Sequence, residues 1–514
     1  MIGAECLLRT LLANHVDLCL MNPGTSEMQF VSALDRVPEM RGVLGLFEAV
    51  CSGAADGYAR MTGKPAATLL HLGPGLANAL SNLHNARKAL SPVVNIVGEH
   101  STAHLQHDAP LTADIEAFAR PVSGWVRTVE SASQMGESAS AAVAAALGPS
   151  GKVATLIVPA DFSWSEAGEP GLPAPRCAKS LPDGEQLRAA ANALRSGQRV
   201  GLLLSGSALQ ARGLAAAGRV RAATGDRIFA HRYAARTTRG AGVPSIERIP
   251  YFPEPAQALL AGFERLILVE AGPPVSFFGY PGIRSTLAPE TCVFDVLASE
   301  GQDGAGALEW LADELGAPPS EAAVAPRPEL PNGEPLTAAT VGRTVGALLP
   351  EGAIVADEAI SSSEPIWPHL AGAAMYDHLP VTGGSIGQGL PVAVGAALAC
   401  PFRKVVALEA DGSAMYSLQA LWTMARERLD VTIVILANRR YRILDIEMQR
   451  TGAGAIGPRA EEMIDLTDPE PDWIQLSRGF GVEAVRATTA NEFIREFRAA
   501  IAERGPRLIE AVIA

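Results

Sequence analysis

Short, nearly unbroken runs of Val, Ile, Leu and Ala recur along the whole chain, each followed by a stretch with helical spacing. DLCLM, VLGLF (43–47), AATLLHL, VVNIVG and ATLIV come first; RVGLLLSG, DRIFA, RLILVEAG and CVFDV follow; AIVADE, KVVALEADG, VTIVILAN and PRLIEAVI close the series. A strand that is apolar on both faces must be covered on both faces, the situation of parallel sheets whose crossovers are helices. The intervening segments, such as EAVCSGAADGYARM and LANALSNLHNARKAL, are amphipathic or rich in small residues. The pattern predicts an α/β protein with parallel sheets. In such sheets ligands lie outside the carboxyl ends of the strands, so chemistry is to be sought just after each apolar run.

Two Pro/Gly-rich stretches, 166–183 and 316–335, lack apolar periodicity and read as interdomain linkers. They divide the 514 residues into three expected domains, 1–165, 184–316 and 336–514, each long enough to bury its own core. A net charge of −13 argues against a nucleic acid or an anionic membrane as the main partner. No apolar stretch approaches the ~18–20 residues of a membrane-spanning helix. The first segment is interrupted by Glu5, Arg9, Asn14, His15 and Asp17, and it does not read as a signal peptide. Cys6, Cys19, Cys51, Cys177, Cys292 and Cys400 stand singly with no CxxC pair, as reduced thiols would. A cytoplasmic protein is expected. No GxxxxGK[ST] is present to support a nucleotide-dependent reading.

The most informative stretch is KVVALEADGSAMYSLQALWTMARERLDVTIVILANRRYRIL. An expected strand at 404–409 runs into Ala410-Asp411-Gly412-Ser413, and the next, 431–437, ends at Asn438. Asp411 and Asn438 therefore stand at the carboxyl ends of consecutive strands and can face one site. A carboxylate with an amide oxygen suits a hard cation such as Mg2+, which commonly shares its oxygen ligands with a phosphate. Gly412 permits close backbone approach, and Ser413 is expected to open a helix whose N–H groups favour a phosphate. Alone, Asp-Gly-Ser is more often a turn.

In its spacing to Asn438 the stretch resembles the diphosphate motif of thiamine diphosphate enzymes, the decarboxylase and acetolactate synthase family. It departs from the family pattern at Ala410 and Ala437, which stand in place of a Gly and an Asn. The resemblance implies a metal held by Asp411, Asn438 and the Arg440 carbonyl, with Gly412, Ser413, Asn438 and Tyr441 at the cofactor. Glu48, followed by Ala-Asp-Gly-Tyr-Ala-Arg at 55–60, is similar to the family's cofactor-activating glutamate, which hydrogen-bonds the aminopyrimidine; without that context a helix-terminal charge is the plainer reading. NPGTSE (22–27), HLGPGLANALSN (71–82) and GGSIGQGLPVAVGAA (383–397) resemble further family segments. They imply Ile386 as the apolar wedge beneath the cofactor, Gly384 as a carbonyl acceptor, and Ser361 and Ser362 as diphosphate contacts. The similarity covers nearly the whole chain, in the order pyrimidine-binding, central and diphosphate-binding domain. It implies thiamine diphosphate and Mg2+ as cofactors. It also implies a homodimer at minimum, extending to a homotetramer, because Glu48 and Asp411 act on one cofactor from different subunits.

Within the family, His71 matches a catalytic His of benzoylformate decarboxylase, and an imidazole suits proton transfer near neutral pH. A histidine at a strand end is otherwise more often structural. Thr25 keeps the hydroxyl of a family serine. Pro110-Leu111 replaces the Phe-Gln pair of acetolactate synthases, and the segment 271–282 lacks a second catalytic His. Phe277, Phe278 and Tyr280 are expected to give an aromatic edge to the pocket. His104, His107 and Asp108 are candidate acid/base groups or simply a solvated loop. GLLLSGSALQARG has too few glycines for a flavin motif, so FAD is not expected. The implied activity is decarboxylation or carboligation of a small 2-oxo acid. A 2-hydroxyacyl-CoA lyase type and a non-catalytic cofactor-binding partner subunit are the alternatives.

Overall fold

The apolar runs form the strands of three sheets in an α/β fold. The computed structural model describes residues 1–149, 151–175, 178–319, 325–454 and 456–513; Cys177 lies outside them. The first sheet contains β1 (Leu18–Asn22), β2 (Arg41–Leu44), β3 (Ala66–Leu70), β4 (Val93–Glu99), β5 (Trp125–Thr128) and β6 (Val153–Pro159). Its order is β2-β1-β3-β4-β6-β5, and all of its pairs are parallel. In the centre, β7 (Val200–Leu204), β8 (Arg227–Ala230), β10 (Glu247–Arg248), β11 (Arg265–Val269) and β12 (Val293–Ala298) are ordered β10-β8-β7-β11-β12. The third sheet takes β13 (Ala353–Glu358), β14 (Tyr376–Pro380), β15 (Val405–Ala410), β16 (Val431–Ala437), β17 (Glu483–Ala487) and β18 (Arg507–Val512), ordered β17-β18-β16-β15-β13-β14.

β9 (Thr237–Arg239) departs from the expected division. It lies in the central segment of the sequence yet pairs antiparallel with β14, closing the edge of the third sheet. The expected strand 43–47 is also corrected. β2 ends at Leu44, and a side chain on Gly45 would press on the Cys51 sulfur, so the chain turns there and Glu48 opens the helix Glu48–Thr62 instead of ending a strand.

Each sheet has a reversal of strand order in its interior, between β1 and β3, between β7 and β11, and between β13 and β15. Such reversals open a crevice at the strands' carboxyl ends, because the two flanking crossovers leave on opposite faces. The three crevices position the polar groups described below.

Small residues join the first sheet to the third. The helices Glu48–Thr62 and Gly389–Ala399 cross closely; a side chain on Gly395 would overlap the Ala54 carbonyl, and one on Gly57 the backbone of Val392. Both helices are buried along nearly their whole length. Beside them Arg60 pairs with Asp56 at 2.5 Å, both side chains fully buried, and also donates to the Pro380 carbonyl (2.8 Å) and Thr382 (3.0 Å). Asp56 accepts further bonds from Ser91 (2.5 Å) and Gln388 (2.6 Å). Every charge in this buried pair has several partners, which is the condition under which such a pair is tolerated. The ADGYAR segment is therefore a clamp between the two sheets. Among the described residues no helix is long and apolar enough to cross a membrane, and the five described cysteines are free.

Candidate active site

The first crevice gathers residues from three strand ends. Asn22 closes β1, Glu48 begins the helix after β2, and His71 follows β3 as the residue capping the helix Leu72–Lys88. Asn22 Nδ2 donates to Glu48 Oε1 (3.1 Å) and Asn78 Nδ2 to Oε2 (2.9 Å). The Glu48 carboxylate is buried between two amides with no cationic partner among the described residues.

Glu27 is the residue that sequence reading passed over. It closes the NPGTSE turn, buried, with Oε2 2.8 Å from His71 Nδ1 and accepting the Gly24 N–H at 2.8 Å. A carboxylate there holds the ring through Nδ1–H and leaves Nε2 as the acceptor. Burial pushes the Glu27 carboxyl above its usual value, against the opposing pull of His71 and the Gly24 N–H. The ring packs on Gly24, where any side chain would collide with it, and this accounts for the glycine of that turn. Thr25 is exposed at the start of the same turn.

At the third sheet, Asp411 follows β15 and Asn438 follows its parallel neighbour β16. Asp411 Oδ2 accepts the Arg439 N–H (2.6 Å), and Oδ1 accepts that of Gly412 (2.9 Å). Asn438 Oδ1 accepts the Arg440 N–H at 3.0 Å. Burial raises Asp411 to about 6 despite these amides, and no cationic side chain pairs with it among the described residues. Gly412 lies under the Tyr441 ring, and Ser413 is buried. The expected helix after Asp411 is a single turn, Asp411–Ala414; the next full helix is Ala420–Glu427. Among the described residues no three His, Cys, Asp or Glu side chains gather around a metal position. The oxygen set here is instead one carboxylate, one amide and one backbone carbonyl.

The segment 382–389 is held from both sides. From the helix Leu72–Lys88, Asn85 donates to the Ser385 carbonyl (2.7 Å), Asn82 to that of Gly387 (3.2 Å), and His84 Nε2 lies 3.1 Å from the Gly383 carbonyl. From β13, Glu358 accepts the amides of Gly387 (2.6 Å) and Gly389. Gly384 (φ 78°) and Gly387 (φ 91°) adopt the left-handed backbone that favours glycine, with half-buried Ile386 between them. Glu409, opposite Glu358 across β13 and β15, is fully buried, and both of its oxygens lack a partner among the described residues. Burial raises both carboxyls, Glu358 to about 7. Ser361 and Ser362 occupy the short turn after β13, Ser362 buried.

The aromatic edge is present and larger than expected. Phe277 packs on Gly384, and around it lie Phe278 (ring centroids 4.7 Å), Tyr233 (5.4 Å) and Tyr251 (5.6 Å). The Tyr280 hydroxyl donates to Glu447 at 3.0 Å, tying the segment to the helix Arg442–Thr451. His104, His107 and Asp108 lie exposed around a short turn, with His104 and His107 rings 5.7 Å apart.

Two polar crevices thus stand at the carboxyl ends of the first and third sheets, one with a buried glutamate between amides and one with buried Asp411 and neighbouring Asn438 beside Gly412. Residues 1–118 match the family "Thiamine pyrophosphate enzyme, N-terminal TPP binding domain", and residues 370–511 match "Thiamine pyrophosphate enzyme, C-terminal TPP binding domain". The chain belongs to the thiamine pyrophosphate enzyme family. It is 50% identical over 514 residues to a Mycobacterium tuberculosis protein named "Putative acetolactate synthase large subunit IlvX", covering 99% of each chain. It is 30% identical to a Pseudomonas aeruginosa benzoylformate decarboxylase, covering 95% of this chain and 94% of that one. The solved structure of a Rhodococcus jostii thiamine diphosphate-dependent 4-hydroxybenzoylformate decarboxylase superposes with a TM-score of 0.85 at 25% identity, covering 100% and 99%. The protein is thus a thiamine diphosphate-dependent enzyme of the decarboxylase and acetolactate synthase type.

Proposed function

We propose that the protein is a Mg2+-dependent member of this type that makes or breaks the C–C bond beside the carbonyl of a 2-oxo acid. The observation that carries the reading is Glu48, whose buried carboxylate is fixed by Asn22 and Asn78. The donor set at the third sheet fits the metal. Asp411, Asn438 and the Arg440 carbonyl offer oxygens of the kind Mg2+ takes, and the buried Asp411 has no cationic side chain paired to it among the described residues. When bound, thiamine diphosphate supplies a carbon nucleophile that adds to the carbonyl and takes up the electrons left by carbon dioxide.

The chain's own groups have separate tasks. Glu48 would hydrogen-bond the pyrimidine ring of the bound cofactor, its carboxyl group oriented by Asn22 and Asn78. Gly384 would offer its carbonyl to the bound cofactor, Ile386 would pack against it, and Ser361, Ser362, Gly412, Ser413 and Tyr441 would hold its diphosphate. His71, oriented by Glu27, moves a proton at Nε2, with Thr25 as a neighbouring hydroxyl. The aromatic edge of Phe277, Phe278 and Tyr251 excludes water and favours an acid with a flat apolar group over pyruvate. Glu48 and Asp411 meet on one cofactor between two copies of the chain, so the working unit is a homodimer, assembled further into a tetramer in the cytoplasm.

The test is turnover with thiamine diphosphate and Mg2+ on benzoylformate, 2-oxobutyrate and pyruvate separately, with CO2 followed and products identified by NMR. Aldehyde from benzoylformate is expected. Glu48→Gln should lower turnover by about 100-fold or more while the cofactor still binds, as loss of a positioned proton-transfer group does. Acetolactate from pyruvate would return the reading to a synthase. No CO2 from any acid would overturn it in favour of acyl-CoA cleavage or a binding-only role.

A further inference from the structure

The crevice of the central sheet is built as an anion site, and an anion of the chain itself fills it. Ser205-Gly206-Ser207 follow β7, and Glu270 follows β11, on the two sides of the reversal in strand order. That is where an α/β sheet receives a ligand. Glu270 has φ 52°, a left-handed backbone that is costly for a residue with a side chain, and its carboxylate is buried in the crevice. It accepts the Ser207 N–H (3.2 Å), the Ser207 hydroxyl, and the Gly304 N–H (3.1 Å) at the first turn of the helix Gly304–Glu314. Lys179 completes the set with an ion pair at 2.9 Å. Glycines make the room: a Cβ on Gly304 would sit 2.6 Å from Oε1, and one on Gly206 would overlap Oε2.

Helix-terminal amides, a hydroxyl and an ammonium converging at a glycine-lined reversal point are the donors that elsewhere hold a phosphate. A cavity of about 980 Å3 extends from this point towards the first sheet, and Lys88, His84 and Arg236 bring further positive or protonatable groups to its wall. We propose that Glu270 is a resident substitute for the phosphate of a nucleotide. The central crevice is thereby closed to nucleotide diphosphates in the native chain and opens to them when the carboxylate is removed. A flavin or adenine nucleotide entering the native domain would have to displace a partly exposed ion pair and three hydrogen bonds. The inference concerns a site separate from Glu48 and Asp411 and does not depend on which acid the enzyme takes.

The full-length protein, saturated with thiamine diphosphate and Mg2+ so that its own diphosphate site is occupied, is titrated calorimetrically with ADP and with inorganic pyrophosphate. Wild type is expected to bind neither at millimolar concentration. Glu270→Gly, which deletes the resident anion and keeps every donor, is expected to bind both at least tenfold more tightly than wild type, and Lys179→Ala added to it should cancel the gain. Should the glycine variant not fold, Glu270→Ala also removes the carboxylate and empties its space, and it is expected to gain pyrophosphate binding by at least threefold. Wild type binding ADP as tightly as the variant would overturn the proposal. So would a folded Glu270→Gly or Glu270→Ala protein with no gain.

Discussion

The central and third sheets share one construction, a reversal of strand order with a carboxylate just past the strand that flanks it, yet the two carboxylates live differently. Glu270 is saturated by an ammonium, a hydroxyl and two amides from elements 34 to 91 residues away. Asp411 has only the two amides of its own loop and of the loop after β16, and burial pushes it up to about 6. A buried carboxylate without a cation is costly, and the cost falls when a cation arrives. The difference teaches that position in the fold makes a place for a ligand, while the charge balance decides whether the carboxylate there calls for a cation or is already matched by the chain's own groups.

The largest effect that would break this comparison is at Asp411. Asp411→Asn removes the single carboxylate of the oxygen set, and activity at fixed Mg2+ is expected to fall by about 100-fold or more, beyond the 10–100-fold that supporting groups around a metal are worth. Higher Mg2+ should restore part of it. Steady-state rates across a Mg2+ series check this, and a variant as active as wild type would remove Asp411 from the metal.

How much of this was legible beforehand follows the same division. Strands buried on both faces, such as β4, β6 and β16, announce themselves as apolar runs. β5 (WVRT) and β17 (EAVRA) are partly exposed and carry no such run. β14 (YDHLP) is buried but holds charged residues, which Arg236 and Arg403 satisfy at Asp377 and Asp357 satisfies at His378. Their partners are remote, so nothing local marks the strand. The family motifs gave Glu48, Asp411, Asn438 and His71 as candidates, since each sits at a strand end in a recognisable loop. Glu27 lies within a quoted motif, but its meaning depends on His71, 44 residues away. Glu270 likewise reads as the end of an apolar run until Lys179, Ser207 and Gly304 are brought around it.

The first sheet's crevice offers a contrast of intermediate size. Glu27 is a carboxylate with Oε2 held by a titratable partner and an amide and with Oε1 unpartnered among the described residues, midway between Glu270 and Asp411. Glu27→Gln keeps the shape but gives His71 Nδ1 a neutral partner, and a loss of roughly 10–100-fold in kcat is expected, within the range for positioned acid–base groups. The pH–rate profile should change with it, because the variant removes a carboxyl that burial holds above its usual value. An unchanged profile with only a lower rate would assign Glu27 to the packing of the turn.

The smallest expected effect separates the two crevices by pH. Glu358, beside the third sheet's reversal, is raised by burial to about 7. Its folded form holds the proton more tightly than the unfolded chain does, so its contribution is complete below the ordinary carboxylate value of about 4.3 and is lost as pH rises through 7. His231, on the wall of the central cavity, is pushed the other way by desolvation, and its Nδ1 accepts the Tyr233 N–H. Charging the ring places a second donor on that acceptor. Its contribution is present above the ordinary imidazole value of about 6.5 and is lost as pH falls below it. Moving from pH 7.5 to 6 should therefore raise hydrogen-exchange protection factors in β13 and β15 and lower them in β7 and β8, since local opening reports local stability. His231→Asn should abolish the loss in β7 and β8 and leave the gain in β13 and β15 intact. If both sheets moved in the same direction, the two crevices would share one charge balance, and the contrast between Glu270 and Asp411 would have to come from something other than the groups around them.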